Sequence, residues 1–145
     1  MPADMPADMP GTDAPPPPRP LPSLAEPDTA PFWRACGDHR LTYGIGPDGE
    51  VVFFPRRVEG GQTRESAGRG VIYTYTVVRK HRHPFFRSRA PYVVAYVDLD
   101  EGFRMLAEVA ADSDEMHLGM RVEVGWEDHG DTAVPVFRPS RSVGS

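Results

Sequence analysis

The sequence contains a single cysteine, Cys36, among its 145 residues. One thiol cannot form a disulfide within the chain, and it cannot supply the cysteine pairs that hold structural zinc. A chain without paired cysteines is typical of a reducing compartment, so the sequence favours a cytoplasmic location.

Long apolar runs are also lacking. A helix that spans a membrane needs about 20 consecutive, mainly apolar residues, and no stretch of this chain provides them. The N-terminus has no basic stretch followed by an apolar one, so no secretory signal is expected. We therefore predict no contact with a membrane.

Positive charge is in deficit, since 16 basic residues face 21 acidic ones and the net charge is −5. This balance argues against a general affinity for nucleic acid or anionic lipid. The sequence also has no Ser-His-Asp order, no nucleotide-binding glycine loop and no HExxH helix. We therefore predict that the chain has no catalytic residues of its own.

Proline is concentrated near the N-terminus, where residues 1–27 hold ten of the 17 prolines. Such a segment buries too little apolar surface to offset the entropy of ordering it. We therefore predict a disordered, partly polyproline II tail over residues 1–27. At the other end, residues 140–145 are expected to fray.

A short helix is predicted to follow the tail and to end near residue 37 or 38. Asp28 or Thr29 would cap its first turn. The helical spacing then places Phe32, Trp33 and Cys36 on one face. That face must cover either the core of this chain or a partner.

Residues 67–139 contain five segments with the β-branched and aromatic content of strands. They lie at 69–78, 91–99, 103–111, 121–127 and 134–138, and an acidic link at 112–120 joins the third to the fourth. Five strands in about 70 residues suit a mainly β fold, a five-stranded Greek-key barrel of the OB type. A small sandwich or an SH3-like barrel is the alternative. In the first strand, alternation predicts a common face for Val71, Tyr73, Tyr75 and Val77.

Several different short motifs follow one another along residues 31–139. They are FW at 32–33, FFPR at 53–56, GRGVIYTYTVV at 68–78, HPF at 83–85, PYVVA at 91–95, LGMRV at 118–122 and PVFRP at 135–139. With these motifs the chain resembles the small zinc-ribbon/OB-fold proteins that accompany thiolase-like and other acyl-CoA enzymes, a family long known as a domain of unknown function. The order and spacing of the motifs make the resemblance specific.

In that family, two cysteine pairs bind zinc on either side of the Phe-x-Pro-Arg motif. The resemblance places the first pair at Ile45 and Asp48 and the second at Glu59 and Gln62. One Asp and one Glu are too few for a tetrahedral site that prefers sulfur and nitrogen ligands, so zinc is not expected. We interpret residues 28–66 as a helix followed by a metal-free, rubredoxin-like zinc-ribbon remnant that is held by apolar packing.

The basic segment, defined as residues 79–89 (RKHRHPFFRSR), is the most informative local feature. It has five basic residues and no acid, whereas the other 134 residues have 11 basic and 21 acidic groups. Guanidinium groups bind phosphate and aromatic rings stack on bases, so the segment suits the phosphates and adenine of coenzyme A. An acidic surface on a partner and a solvated loop without a ligand are the alternatives. The candidate contact residues are Arg79, Lys80, Arg82, His83, Phe85, Phe86, Arg87 and Arg89.

The resemblance implies that the chain binds a partner enzyme. We predict a non-catalytic accessory subunit that binds a thiolase-like acyl-CoA enzyme as a hetero-oligomer. The enzyme would be of the condensing, retro-aldolase or acyltransferase type, and the two chains would together form a channel for a coenzyme A thioester. The chain alone would hold no cofactor stably. Its hydrophobic contact with the enzyme would come from Phe32, Trp33, Phe53 and Phe54.

Three other functions remain open at this point. The chain could be a subunit of an acyl-CoA hydratase, or a stand-alone acyl-CoA-binding or thioesterase-like enzyme. It could also be an OB-fold module for single-stranded nucleic acid, with Tyr73, Tyr75, Tyr92 and Tyr96 as stacking platforms. The acidic net charge makes nucleic acid an unlikely partner.

Overall fold

The computed structural model describes residues 18–53 and 59–140. A short helix comes first, followed by a three-stranded sheet and a five-stranded barrel, which confirms the predicted order of elements. The frayed end predicted for 140–145 lies outside the described residues except for Ser140. In chain order the elements are α1 (Ala30–Gly37), β1 (Thr42–Ile45), β2 (Val51–Val52), β3 (Gln62–Glu65), β4 (Arg69–Val78), α2 (Pro84–Arg89), β5 (Tyr92–Leu99), β6 (Arg104–Val109), a 3-10 turn (Ser113–Glu115), β7 (Arg121–His129) and β8 (Thr132–Pro139).

The barrel strands follow the order β4-β5-β6-β8-β7, and pairing of β7 with β4 closes the barrel. Strands β6 and β8 run parallel, with Val109 opposite Phe137, whereas the other neighbours are antiparallel. A parallel pair needs a crossover connection, which the 3-10 turn and β7 provide here. The strand order and the closure confirm the predicted OB-type barrel.

The barrel core is built from the inward side chains of successive strands. Ile72, Val97, Val122 and Phe137 are at most 2% exposed, and they come from β4, β5, β7 and β8. Burial of an apolar side chain of this size contributes about 1.5–3 kcal/mol. These four side chains therefore join four of the five barrel strands in one core.

A β-bulge in β4 changes the predicted alternation. The pairing of β4 with β5 shifts register between Ile72 and Thr74. Tyr73 is consequently 52% exposed, whereas Tyr75 and Val77 pack against the core. The prediction of one common face for these three residues is therefore wrong, because an inserted residue exchanges the two faces of a strand.

The start of β4 requires glycine at two positions. Gly68 has a φ of 76°, which is in the left-handed region. A Cβ on Gly70 would collide with the backbone carbonyl oxygen of Asp98 on β5. Movement of a side chain relieves neither constraint, so these glycines allow β4 to approach its neighbours.

A three-stranded antiparallel sheet, in the order β2-β1-β3, lies where the ribbon remnant was predicted. The turn between β1 and β2 is closed by the N–H of Gly46, which donates to the carbonyl of Glu50 at 2.8 Å. At the end of β1, Ile45 lies opposite Val51 on one side and Gln62 on the other. Backbone hydrogen bonds thus keep the two turns of the remnant together.

One carboxylate joins the ribbon remnant to the barrel. Glu101, in the turn between β5 and β6, accepts hydrogen bonds from the hydroxyl of Ser66 at 2.6 Å and the N–H of Ala67 at 2.8 Å. The Ser66 hydroxyl also accepts a hydrogen bond from the N–H of Gly68 at 2.9 Å. The backbone N–H of Ser66 donates to the carbonyl of Leu41 at 2.7 Å. These bonds satisfy the buried junction and fix how the two parts meet.

The two helices are short, with eight residues in α1 and six in α2. In residues 18–53 and 59–140, no helix is long and apolar enough to cross a membrane.

Candidate functional site

The basic segment folds into a short loop followed by helix α2, which was not predicted. His83 caps this helix, because its Nδ1 accepts a hydrogen bond from the N–H of Phe85 at 3.1 Å, and Pro84 occupies the first turn. The Nδ1 of His81 accepts from the N–H of His83 at 3.0 Å. Both imidazoles therefore shape the backbone of the segment.

Phe85 and Phe86 attach α2 to the barrel. Their rings meet edge to face at 5.0 Å. The Phe86 ring also contacts the rings of His81 at 4.8 Å and Tyr92, on β5, at 5.7 Å. Both phenylalanines are half-buried by neighbours in this chain, so they are poorly placed to stack on a ligand.

Arg89 contacts carboxylates of the barrel. Its guanidinium binds Glu108 Oε2 at 2.7 Å and Glu127 Oε2 at 2.5 Å. Arg19 pairs with the same two residues, from Nη2 to Glu108 Oε1 at 2.8 Å and from Nε to Glu127 Oε1 at 2.6 Å. We call Arg19, Arg89, Glu108 and Glu127 the double-arginine cluster; sequence analysis identified only Arg89 among these residues.

Hydrogen bonds within the cluster favour the charged forms of Glu127 and Arg89. Burial alone would raise the pKa of Glu127, but hydrogen bonds from Arg89 and His129 and the charges of Arg19 and Arg89 lower it to about 2. Burial opposes the charge on Arg89, yet its hydrogen bonds to Glu127 and Glu108 raise the pKa of that guanidinium. Arg89 is thus committed to an internal ion pair and is not the free anion contact that was predicted.

The position of Arg19 corrects the predicted boundary of the tail. Disorder was expected through residue 27, yet the Arg19 side chain is only 8% exposed. Farther along, Arg34 on α1 donates to the carbonyl of Leu24 at 3.3 Å. A lone arginine among prolines has no periodic signal, and its partner Glu108 lies 89 residues away in the sequence. The rest of the predicted tail, residues 1–17, lies outside the described residues.

Four basic side chains of the segment, Arg79, Lys80, Arg82 and Arg87, stand apart from the cluster. None of them forms an ion pair with an acidic side chain in the part of the chain that the structure describes. The last three and His81 line an open depression of about 510 Å³. Arg87 Nη2 donates to the carbonyl of Arg82 at 2.8 Å, which holds the two residues side by side. We call Lys80, His81, Arg82 and Arg87 the cation patch.

The cation patch has the chemistry of a phosphate or carboxylate site. Guanidinium groups offer paired donors in a planar fork, and the lysine adds a mobile charge. Because the patch is open, water and salt weaken each contact. It therefore suits an anion that is held jointly with a second surface better than a ligand bound by this chain alone.

The apolar residues that were predicted to contact a partner lie mainly within this chain. Phe32 is 8% exposed, and its ring contacts Trp33 at 4.9 Å and Phe53 at 5.6 Å. Phe32 is therefore a core residue and does not face a partner. Trp33 and Phe53 are half-buried against the core, and Phe54 lies outside the described residues.

A layer of aromatic rings joins the ribbon remnant to the barrel. Phe103, which is 4% exposed and precedes β6, stacks on Tyr43 of β1 at 4.9 Å and on Phe53 at 5.2 Å. Through Phe53 the layer reaches Phe32 on α1. We call Phe32, Tyr43, Phe53 and Phe103 the aromatic layer, and it packs α1 and the ribbon remnant against the barrel.

The four positions where the resemblance implied zinc ligands do not fit a metal. Ile45 and Gln62 pair across β1 and β3, whereas Asp48 and Glu59 lie in turns. Among residues 18–53 and 59–140, no group of three or more His, Cys, Asp or Glu side chains is arranged to hold an ion. The donors present lack the sulfur and nitrogen that zinc prefers.

The tyrosines that were considered as stacking platforms for nucleic acid separate in the structure. Tyr75 packs against the core and Tyr92 against Phe86. Tyr73 and Tyr96 are 52% and 44% exposed, and the guanidinium of Arg104 lies 3.6 Å from the centre of the Tyr73 ring. Only Tyr96 is left with an uncovered ring, so the arrangement is not that of a single-strand binding face.

Cys36 is a core residue. It is fully buried, and burial raises the pKa of its thiol from 9.0 to about 12. Because the thiolate is the nucleophile and the metal ligand, a thiol that stays protonated at neutral pH provides neither function.

We expect Cys36 to react with a disulfide reagent only when the chain unfolds. The thiol stabilises the fold fully below pH 9.0, its ordinary pKa, and this contribution is lost as the pH rises toward about 12. The measurement is the rate of thiol labelling at increasing urea concentrations near neutral pH, compared with unfolding followed by fluorescence. Cys36→Ala is the control, and it should remove part of the alkaline loss of stability. Rapid labelling of the folded chain would contradict the assignment.

The chain is similar in sequence to several known proteins. The family model described as "ChsH2, C-terminal OB-fold domain" matches residues 63–127. The chain is 41% identical over 80 residues to the probable enoyl-CoA hydratase alpha subunit of Thermomonospora curvata, which covers 54% of this chain and 24% of that protein. It is 32% identical over 100 residues to a DUF35 domain-containing scaffold protein of Methanocaldococcus jannaschii, which covers 60% of this chain and 70% of that protein.

A solved structure is similar over a larger part of the chain. A chain of the Ltp2-ChsH2(DUF35) aldolase superposes with a TM-score of 0.70 and 30% sequence identity, covering 82% of this chain and 98% of that one. The present chain therefore spans almost all of that chain but only about a quarter of the hydratase subunit.

Proposed function

Because the chain belongs to the DUF35 family, we propose that it is a non-catalytic accessory subunit of a thiolase-like acyl-CoA enzyme. The observation that carries the proposal is its likeness to nearly the whole of a chain from the Ltp2-ChsH2(DUF35) aldolase. The one thiol agrees with this role, because it is buried in the core.

The cation patch supplies half of a site for a coenzyme A thioester. Arg82, Arg87 and Lys80 would bind the phosphates, and the enzyme would supply the other wall together with all catalytic groups. An open patch of cations that pair with no acidic side chain among residues 18–53 and 59–140 supports such a shared site, since the enzyme would exclude the water that weakens these contacts. No resident metal or stably bound cofactor is part of this proposal.

The apolar contact with the enzyme would come from Trp33 and Phe53. Both are half-buried in the free chain, so a partner would complete their burial. Exposed apolar area that is covered on association contributes about 25 cal/mol per Å². We place the complex in the cytoplasm, because the only thiol is buried and the fold uses no disulfide.

Co-expression tests the proposal directly. We expect this chain and its thiolase-like partner enzyme to elute together from gel filtration at a fixed stoichiometry, and the activity of the enzyme to depend on the chain. Two independently eluting proteins would contradict the proposal. So would turnover of a thioester by this chain alone.

A hydratase partner is the second candidate, and the identity to a probable enoyl-CoA hydratase alpha subunit favours it. The two candidates differ in the reaction of the purified complex. A thiolase-like partner makes or breaks a carbon–carbon or acyl bond, whereas a hydratase adds water to an enoyl thioester. Loss of the enoyl absorbance on addition of the complex would identify the hydratase.

A further inference from the structure

Helix α2 depends on its surroundings for stability. It has six residues, none of them buried, and a helix this short does not persist in water on its own. Two guanidinium groups lie over the Phe85 ring, that of Arg19 at 4.8 Å and that of Arg89 at 4.6 Å from its centre. Arg89 belongs to α2 itself, whereas Arg19 reaches the helix from the segment before α1 and adds to the contact of Phe86 with Tyr92 on β5.

The surroundings of Arg19 form a slot for a guanidinium group. Glu108 on β6 accepts a hydrogen bond from its Nη2, Glu127 on β7 lies within ion-pair distance of its Nε without accepting a hydrogen bond from it, and the group lies over the Phe85 ring. The Arg19 and Glu108 side chains are 8% and 13% exposed. Without Arg19, both carboxylates would still pair with Arg89. Glu127 would also keep its contact with His129 at 2.9 Å. An incompletely paired charge at such depth is costly.

The segment that carries Arg19 is fixed at its other end too. The N–H of Ala30, the first residue of α1, donates to the carbonyl of Glu26 at 2.8 Å, and Arg34 binds the carbonyl of Leu24. Residues 19–29 therefore connect α1 to α2 and are attached at both.

We propose that residues 18–29 form a clasp, in which the Arg19 guanidinium fills the slot and thereby holds α2 and the cation patch in position. Arg87 is the physical link, because it lies on α2 and its N–H donates to the carbonyl of His83 at 2.8 Å. When α2 loosens, Arg87 loses its fixed place beside Arg82. The role of the patch as an anion site rests on the proposed function, whereas the clasp rests on contacts within this chain.

The slot is specific for a planar, forked cation. Two carboxylates contact separate nitrogens of the guanidinium, Nη2 and Nε, while the group lies over a ring, an arrangement that a lysine ammonium cannot reproduce. Arg19→Lys should therefore restore the charge but only part of the function of the clasp.

Amide hydrogen exchange of the purified full chain tests the clasp. In Arg19→Ala we expect the amides of Arg87 and Ala90, which close α2, to exchange about tenfold faster, with the barrel strands unchanged. Guanidinium ion at about 20 mM, far below denaturing concentrations, should slow the exchange of these amides again in this variant only. The matched control is Arg138→Ala, which removes an exposed arginine paired with Glu123 at 3.3 Å and should leave α2 unaffected.

Inorganic pyrophosphate, titrated against the same variants, tests the coupling to the cation patch. We expect Arg19→Ala to weaken its binding about three- to fivefold and Arg19→Lys to fall between that variant and the native chain. Should Arg19→Ala fail to fold, Arg19→Lys takes its place in both measurements. Unchanged exchange in α2, no rescue by guanidinium, or unchanged pyrophosphate binding despite a loosened α2 would each overturn the clasp. Failure to bind the enzyme would instead count against the proposed function and leave the exchange result standing.

Discussion

The double variant Arg82→Glu/Arg87→Glu is expected to raise the KM of the enzyme complex for its coenzyme A thioester about 30- to 100-fold. A charge-assisted hydrogen bond contributes about 1.5–3 kcal/mol, and partial exposure reduces that value. Two such contacts are replaced by repulsion, which corresponds to about 2–3 kcal/mol in total. The measurement is steady-state kinetics at two salt concentrations, because a lost phosphate contact also reduces the dependence on salt.

Arg40→Glu/Arg69→Glu is the matched control for this experiment. Both arginines are exposed and lie outside the basic segment, and the pair produces the same change in net charge. Long-range repulsion would affect both double variants equally, whereas a direct contact affects only the first. An unchanged KM in Arg82→Glu/Arg87→Glu would remove the cation patch from the coenzyme A site.

Phe103→Ala is expected to lower the free energy of unfolding by about 3–5 kcal/mol, the usual cost of removing a buried phenylalanine. It should also detach the ribbon remnant selectively, because Tyr43 and Phe53 both stack on this ring. Urea unfolding gives the global effect. Hydrogen exchange in β1 and β3, compared with that in β5 and β7, gives the local one.

Two variants separate the aromatic layer from general loss of packing. Phe103→Leu keeps most of the buried volume and should retain the remnant. Phe137→Ala removes a fully buried ring from β8 and should destabilise the barrel to a similar degree without selective exchange in β1 and β3. Stoichiometric zinc in the purified chain, or loss of the remnant on addition of a chelator, would show that packing alone does not hold it.

The division of the basic segment has a consequence for its chemistry. From the sequence, its cations are predicted to form one anion site, but Arg89 and the two phenylalanines instead hold α2 on the barrel. Buried ion pairs and aromatic packing therefore fix the helix that carries part of the cation patch. An anion that reaches the patch meets side chains whose backbone is already positioned, which lowers the entropic cost of binding.

The sequence by itself determined the barrel, and it determined that four positions of the ribbon remnant have side chains unsuited to zinc. The strands lie close to where alternation and β-branched content placed them, because these signals are local and depend on a few neighbouring residues. The unsuitability of Ile45, Asp48, Glu59 and Gln62 as zinc ligands is likewise a property of the side chains themselves.

Only the tertiary structure decided which charges are paired and which aromatic rings are inside. Arg19 meets Glu108 across 89 residues of sequence, and the bulge in β4 exposes Tyr73 and turns Tyr75 inward. Phe32 belongs to the core because the Phe53 ring, which itself stacks on Phe103, packs against it. Such pairings depend on strand register and on how elements pack, and neither is encoded in the periodicity of any one segment.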